Sequence, residues 1–178
     1  MDSDGYLSQL ADIFNGITVN TPSISAIIAI VLAGVLLLAS GFASASEIAF
    51  FSLSPSDRND IDERNHPSDD KISALLGDTE RLLATILITN NFVNVTIIML
   101  CNFFFMNVFV FHSPLAEFLI LTVILTFLLL LFGEIMPKIY SAQKTLAFCR
   151  FSAPVIYMLR KVFAPISAVL VHSTAFLN

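Results

Sequence analysis

One acidic side chain lies at the end of a long apolar run, where a charge is costly. The run begins near Leu115 and ends with Phe132-Gly133-Glu134-Ile135-Met136-Pro137-Lys138. A charge in or near hydrocarbon costs about 2.5–3.5 kcal/mol on insertion scales, so such a residue usually marks an ion or proton path. Glu134 is therefore a candidate cation ligand. The alternative is an acid in the headgroup zone that pairs with Lys138 four residues later.

Pro137 changes the helix that carries this acid. Proline has no backbone N–H, and its ring clashes with the carbonyl four residues earlier, which here belongs to Gly133. We therefore expect the helix to kink or open between these residues and to free carbonyl oxygens beside Glu134. Irregular backbone beside an acid at a helix end is a common way for transporters to build cation sites.

A second polar group ends the first long uncharged segment, in the stretch Ser40-Gly41-Phe42-Ala43-Ser44-Ala45-Ser46-Glu47. Ser40 and Ser44 are four residues apart, so they share one face of a helix. Small residues also let membrane helices approach closely, and one interpretation is therefore a packing face. The functional interpretation is that Ser44 offers an oxygen to a cation.

A third group, Thr89-Asn90-Asn91-Phe92-Val93-Asn94, lies in the next uncharged segment. Amides in hydrocarbon are costly unless they are hydrogen-bonded. Asn90 and Asn94 share a helix face. They could bond across a helix interface, or their carbonyl oxygens could be neutral ligands for a hard cation.

The composition is typical of a membrane protein. The 178 residues are 56% hydrophobic and 13% charged, and the mean hydropathy is +0.82. The net charge of -5 does not suggest a nucleic-acid partner. Cys101 and Cys149 are isolated in apolar surroundings, which argues against a disulfide or a thiolate metal site. Without a nucleophile–base pair or a glycine-rich phosphate loop, the sequence does not predict an enzyme.

The distribution of basic residues predicts the topology. Every Lys and Arg lies in segment 52–81 or after residue 134. The positive-inside rule then places the N-terminus outside and the C-terminus inside, with three spans. The predicted fold is an all-α integral membrane protein. An extracytoplasmic tail over 1–22 precedes a transmembrane domain over 23–178, with spans at about 23–46, 82–111 and 115–133.

Two further segments are expected on the cytoplasmic side. Residues 54–81 predict a helical hairpin that begins at Ser54-Pro55. Residues 138–177 predict juxtamembrane helices along the cytoplasmic leaflet, because Pro154, Arg160-Lys161 and Pro165 interrupt the apolar pattern. A fourth span within 145–177 is the alternative.

With this topology the polar groups of the three spans lie at one level. Their donors are hydroxyl, amide, carboxylate and backbone carbonyl oxygens. Oxygen ligands favour the hard cations Mg²⁺, Ca²⁺ or Na⁺ over Zn²⁺ or Cu²⁺. A single carboxylate gives a weak site, as a transported ion requires.

The three polar stretches, 40–47, 90–94 and 133–138, resemble the three signatures of the CNNM/CorC magnesium transporter membrane domain. The resemblance covers essentially the whole chain in the same order, and the last stretch is the most specific. Ala43 stands where the family commonly has Phe, a departure that we expect to affect packing only. The resemblance implies a homodimer with three spans and a belt of cytoplasmic helices.

The resemblance also implies a site and a function. Each subunit would hold a largely dehydrated Mg²⁺ on an inward-open path, with ligands at Ser44, Asn90, Asn94, Gly133 and Glu134. The leading interpretation is a divalent-cation transporter that exports Mg²⁺, with Na⁺ as a candidate coupling ion. Its membrane would be the cell membrane, the inner one in a bacterium. The alternatives are a non-transporting metal sensor or regulator, and a scaffold in a membrane assembly.

Members of that family also carry cytoplasmic CBS domains, which bind ATP, and a further C-terminal domain. This chain ends at Asn178, so the resemblance implies a membrane-domain fragment. ATP would bind only through the domains that are absent here. The expected partners of this segment are membrane lipids and a second copy of the chain.

Overall fold

The structure of the chain, a computed structural model, describes residues 17–111 and 113–165. In chain order the elements are β1 (Ile17–Val19), α1 (Ile24–Phe51), α2 (Pro55–Asp62), α3 (Asp69–Leu76), α4 (Thr79–Val108), β2 (Phe109–Phe111), α5 (Pro114–Leu128), a π-helical segment (Leu129–Ile135), α6 (Met136–Gln143) and α7 (Thr145–Val162). The predicted fold class, an all-α membrane domain with three long apolar helices, is confirmed. Its orientation in the membrane stays a prediction. Most of the tail over 1–22 and the end of segment 138–177 lie outside the described residues.

Three helices of the described residues are long and apolar enough to cross a membrane: α1, α4 and the stretch Glu117–Gln143. The last, which we call the third span, joins most of α5 to the π-helical segment and α6. α1 has 28 residues, so at 1.5 Å per residue it is about 42 Å long and exceeds a hydrocarbon core of about 30 Å. We call the end of the bundle near α2 and α3 the hairpin end, and the opposite end, near β1 and β2, the strand end.

The helices differ from the predicted spans at their ends. α1 continues past Ser46 to Phe51, and Glu47 within it pairs with Lys138 of the third span. The third span continues through Gly133 to Gln143, because the π-helical segment accommodates Pro137. The second span ends at Val108, and the next three residues pair with β1 in an antiparallel ladder, Ile17 opposite Phe111.

The hairpin of α2 and α3 begins as its sequence predicts. Ser54 is the N-cap and Pro55 the first residue of α2. The hydroxyl of Ser54 accepts from the N–H of Asp57, 3.1 Å away, and the Asp57 carboxylate accepts from the N–H of Ser54, 2.9 Å away. This reciprocal capping box satisfies two backbone donors at once. α3 ends before Gly77.

Two hydrophobic clusters hold the bundle together. One lies at the hairpin end and joins α1, α2, α3, α4 and α7 through eleven buried residues: Ala49, Phe50, Leu53, Ile61, Ile72, Leu75, Leu82, Ile86, Cys149, Ala153 and Ile156. The other joins α1, α4 and α5 through Ala33, Val93, Ile97, Cys101 and Leu125. The polar groups of the three spans lie between these two clusters.

Helix α7 has one buried face and one exposed apolar face. Cys149, Ser152, Ala153 and Ile156 pack into the bundle. Phe151, Val155, Met158 and Val162, spaced four, three and four residues apart, are 46–68% exposed. We call these four residues the apolar stripe. A helix with such a stripe is suited to lie in a membrane interface, which is the role predicted for this segment.

Candidate functional site

The polar side chains of α1 and α4 meet inside the bundle. The hydroxyl of Ser40 lies 2.9 Å from Asn90 Oδ1 and 2.6 Å from Asn94 Oδ1. The hydroxyl of Ser44 lies 3.5 Å from Asn90 Oδ1. Both serines are fully buried, and both asparagines are half-buried. We call these four residues the polar cluster. Three of them were predicted as ligands from the sequence, and Ser40 lies at their centre.

Helix periodicity brings these residues together. Ser40 and Ser44 are one turn apart on α1, and Asn90 and Asn94 are one turn apart on α4, so each pair presents two oxygens to the other helix. α1 packs against α4 more extensively than against any other element. Small side chains such as Ala33 on this face allow the close approach.

The third span completes one side of the polar cluster through Gly133. This residue is buried, and a Cβ atom built on it would lie only 3.1 Å from Ser40 Oγ. This distance is shorter than ordinary van der Waals contact, so with any larger residue the Ser40 side chain or the third span would have to shift by a few tenths of an ångström. The structure therefore places Gly133 beside the polar cluster, where its lack of a side chain allows the close approach. Its role as a ligand stays a prediction.

The backbone of the third span opens at this level. Residues 129–135 form a π-helical segment, and the N–H of Met136 bonds to the carbonyl of Leu131, five residues back. Pro137 has no N–H, so it cannot bond to the carbonyl of Phe132 or of Gly133. The opening predicted from Pro137 takes the form of a π-helical turn, a feature that often occurs at functional sites.

A second close contact fixes the third span against α1. A Cβ atom built on Gly41 would lie 2.9 Å from Pro137 Cγ and 3.3 Å from the carbonyl oxygen of Phe132. One turn further on, the hydroxyl of Ser141 donates to the carbonyl of Ala45 over 2.6 Å. The two helices therefore touch backbone to backbone beside the polar cluster.

Glu134 directly follows Gly133 in the third span. Its carboxylate Oε1 is 3.3 Å from Lys138 Nζ, which is also 3.3 Å from Glu47 Oε2. The ion pair with Lys138, the alternative considered from the sequence, is therefore present. The Glu134 side chain is 41% exposed. Among the described residues, its hydrogen-bond partner is Lys138, so the structure joins the polar cluster and Gly133 but leaves the Glu134 carboxylate in this ion triad.

The chemistry of the polar cluster is that of an oxygen site. A serine hydroxyl carries one proton, yet the hydroxyl of Ser40 is shared between two carbonyl oxygens. The two amides also carry N–H donors, so the groups of the cluster suit both hydrogen bonds across the helix interface and a hard cation. In the part of the chain that the structure describes, no group of three His, Cys, Asp or Glu side chains is placed to hold a metal. A cation here would depend mainly on neutral oxygens.

The sequence did not predict the contacts that two residues, Ser40 and Lys138, make between helices. Ser40 shares the face of Ser44, so its spacing was the available signal, but only the helix packing makes it the common partner of Asn90 and Asn94. Lys138 bridges two helices through Glu47, a contact that spacing within one helix does not reveal. Asn91, the third amide, donates to the carbonyl of Leu87 in its own helix and is exposed, so it lies outside the polar cluster.

Comparisons with known proteins agree with the fold and with the sequence motifs. Residues 28–178 match the family CNNM, described as the cyclin M transmembrane N-terminal domain. A relative from Haemophilus influenzae, named UPF0053 protein, is 31% identical over 130 residues. The match covers 73% of this chain and 30% of the relative, so the chain spans less than a third of that protein. On the strength of the family match, this chain belongs to the CNNM family of cyclin M transmembrane N-terminal domains.

Proposed function

We propose that this chain moves Mg²⁺ across a cell membrane through the polar cluster. The observation that carries the proposal is the meeting of two serine hydroxyls and two amide carbonyls inside the bundle, beside an opened helix backbone. The family itself is associated with divalent-cation transport and Mg²⁺ homeostasis. Its members are membrane domains of the transporter type, not known enzymes.

The donor set is suited to weak binding. Mg²⁺ prefers six oxygens in near-octahedral geometry at about 2.0–2.1 Å, and it gives up its waters reluctantly. Ser44, Asn90 and Asn94, the carbonyl oxygens of Ser44 and Gly133, and the Glu134 carboxylate would supply about that number. One carboxylate offsets only part of the cost of dehydration. We therefore propose a modest affinity, which lets the ion leave.

Lys138 is proposed to control the charge of Glu134. Its ammonium group contacts both Glu47 and Glu134 at 3.3 Å. If Lys138 shifts wholly to Glu47, the Glu134 carboxylate is free to turn toward an entering Mg²⁺. When the ion leaves, Lys138 returns and neutralises Glu134. Glu134 would thus be paired with Mg²⁺ in one state and with Lys138 in the other, without a large helix movement.

The direction and the assembly are part of the proposal. From the resemblance of the three polar stretches to the CNNM/CorC domain, we propose export of Mg²⁺, with Na⁺ as the candidate coupling ion. We also propose a homodimer in the cell membrane, which is the inner membrane if the source is bacterial.

The proposal is tested by Mg²⁺ titration calorimetry on Glu134→Gln. This substitution keeps the shape of the side chain and removes one formal charge, so Mg²⁺ binding should weaken while the fold is retained. The matched control is Glu117→Gln, which lies near the opposite end of the third span and should bind Mg²⁺ as the unmodified chain does. Unchanged Mg²⁺ affinity in Glu134→Gln would show that Glu134 is not a ligand of the ion.

The hydrogen bonds of Ser40 also favour a second candidate function, that of a scaffold. Bonds between a hydroxyl and two amides across a helix interface are what interhelical association requires. In that case, substitutions in the polar cluster would lower the stability of the bundle, and neither the variants nor the unmodified chain would bind Mg²⁺ above background. A metal sensor would bind Mg²⁺ through the same oxygens but give no flux in proteoliposomes.

A further inference from the structure

A basic cavity of about 260 Å³ lies at the hairpin end, where α3, α4 and α7 meet. Its lining residues are Ala74, Arg81, Tyr157, Arg160, Lys161 and Ala164. Three of them are cationic and come from two helices. None belongs to the polar cluster or to the triad of Glu47, Glu134 and Lys138. The proposed ion path therefore does not account for this cavity.

The cations of the cavity are held in place by the protein. Arg160 donates to the carbonyl of Ala74 over 2.8 Å, and its guanidinium lies 3.5 Å from Asp78 Oδ2. The guanidinium of Arg81 lies 3.3 Å from the same oxygen. Lys161 Nζ lies 4.8 Å from the centre of the Tyr157 ring. With one acid against three cations, this group keeps a net charge of about +2 by formal charges.

The cavity adjoins the apolar stripe of α7. Lys161 directly precedes Val162, the last residue of the stripe, which is 59% exposed. The same helix therefore presents an apolar surface for hydrocarbon and, beside it, a basic cavity. A membrane phospholipid has the matching order of groups, with acyl chains next to a phosphate.

We propose that this cavity binds the phosphate group of an anionic membrane phospholipid, whose acyl chains lie along the apolar stripe. Guanidinium groups suit phosphate because their N–H groups form a planar fork that matches its oxygens. Basic pockets beside membrane helices commonly take anionic headgroups. A soluble phosphate could bind the same cations but has no acyl chains to lie along the apolar stripe.

The test uses a tryptophan reporter, since the chain contains no Trp. Met158→Trp places one fluorophore on the stripe, where residue 158 is 68% exposed. The full chain is reconstituted in phosphatidylcholine nanodiscs with increasing fractions of brominated phosphatidylglycerol, and quenching of the tryptophan is measured. Brominated phosphatidylcholine gives the reference for lipids without net charge. Val155→Trp, one turn earlier on the stripe, is the second reporter if the first variant does not fold.

The expected result is that phosphatidylglycerol quenches at a lower mole fraction than phosphatidylcholine. In the reporter background, Lys161→Gln and Arg81→Gln should each weaken that preference by about fivefold, because each charge near a membrane surface is worth about 1 kcal/mol. The matched control is Lys144→Gln at the other end of α7, which should keep the preference. Equal quenching by both lipids, or an equal loss in Lys144→Gln, would contradict a defined headgroup site.

A second experiment distinguishes the phosphate of a lipid from a soluble phosphate as the ligand of the cavity. Glycerol 1-phosphate is added at millimolar concentration to the same nanodiscs. If the lipid is the ligand, phosphatidylglycerol quenching should persist, because the acyl chains hold the lipid along the apolar stripe and the soluble competitor has none. If glycerol 1-phosphate abolishes the preference for phosphatidylglycerol, the phosphate binds without help from acyl chains and the lipid assignment is wrong.

Discussion

Ser40 is the residue on which both asparagines of the polar cluster depend. Its hydroxyl reaches Asn90 and Asn94 at once, while the hydroxyl of Ser44 reaches only Asn90 and at a longer distance. The sequence placed all four residues on the correct helix faces, because spacing within a helix fixes a face. It could not give Ser40 its central position, which depends on how far α1 and α4 are rotated toward each other.

Substitution Ser40→Ala should destabilise the bundle. It removes the one hydroxyl proton that two half-buried carbonyl oxygens share, and the loss of such a hydrogen bond costs about 0.5–1.5 kcal/mol. Thermal unfolding in detergent measures the loss. The matched control is Ser46→Ala, because the Ser46 hydroxyl bonds to the carbonyl of Phe42 in its own helix. The higher helix propensity of Ala offsets the loss of that bond, so stability should change by no more than about 0.5 kcal/mol. Equal losses in both variants would mean that the hydroxyl of Ser40 contributes nothing across the interface.

At the scale of elements, the position of the third span depends on a contact between Gly41 of α1 and Pro137. The sequence predicted that small residues on α1 allow close packing, and that Pro137 opens its helix. It did not predict that the two features meet, because the pairing of helix faces between distant segments is a property of the packed bundle. The short strands β1 and β2 were missed for the same reason, since three residues give little local signal.

Gly41→Ala should separate the third span from α1. The new Cβ atom would lie 2.9 Å from the rigid ring of Pro137, and such overpacking typically costs about 1–3 kcal/mol. Gly34→Ala in the same helix is the matched control, because a Cβ atom there meets nothing within 4 Å. That substitution should stabilise α1 by about 0.5–1 kcal/mol. Melting temperatures that move in the same direction for both variants would contradict the close contact.

A buried ion pair attaches the hairpin to α7. Arg150 donates to both oxygens of Asp69 at 2.8 and 3.0 Å, and the Asp69 side chain is fully buried. The hydrogen bonds from Arg150 hold the pKa of Asp69 below its ordinary value, although burial acts in the opposite direction. A lowered pKa in the folded state stabilises the protein above the ordinary value of 3.8, and this contribution is lost as the pH falls through the folded pKa.

Arg150→Met should therefore lower the free energy of unfolding by about 3–5 kcal/mol at neutral pH, because it leaves the Asp69 carboxylate buried and unpaired. The difference from the unmodified chain should shrink in acid as Asp69 becomes protonated. Arg64→Met breaks the exposed pair with Asp70, whose side chains are 71% and 73% exposed, and should cost about 0–1 kcal/mol. Denaturant unfolding at several pH values measures both. A difference for Arg150→Met that does not change with pH would contradict this account of Asp69.

At the scale of the whole molecule, the apolar runs and the positions of Lys and Arg predicted three spans, with a fourth within 145–177 as the alternative. Three helices of the described residues are long and apolar enough to cross a membrane. The orientation rests on the positions of Lys and Arg and is open to a direct test. A cysteine at exposed Thr21 of the strand end should react with an impermeant thiol reagent added to sealed cells. A cysteine at exposed Ser56 of the hairpin end should not react.

The native cysteines should not interfere with this labelling. Cys101 and Cys149 are both buried, and burial raises the pKa of Cys149 to about 12, so its thiol stays protonated during labelling. Reaction of Ser56→Cys in sealed cells, with Thr21→Cys protected, would reverse the predicted topology.

The central claim is that the amides of the polar cluster conduct Mg²⁺ in addition to joining helices. Its most direct test is Mg²⁺ flux in proteoliposomes for Asn90→Leu, which removes a cluster oxygen while keeping a similar shape. Asn91→Leu is the matched control, because that neighbouring amide is exposed and bonds to its own helix. We predict that Asn90→Leu slows Mg²⁺ flux by at least about tenfold, equivalent to about 1.4 kcal/mol, whereas Asn91→Leu transports normally. Normal Mg²⁺ flux through Asn90→Leu, together with a lowered melting temperature, would contradict the claim and show that the amide only joins α1 to α4.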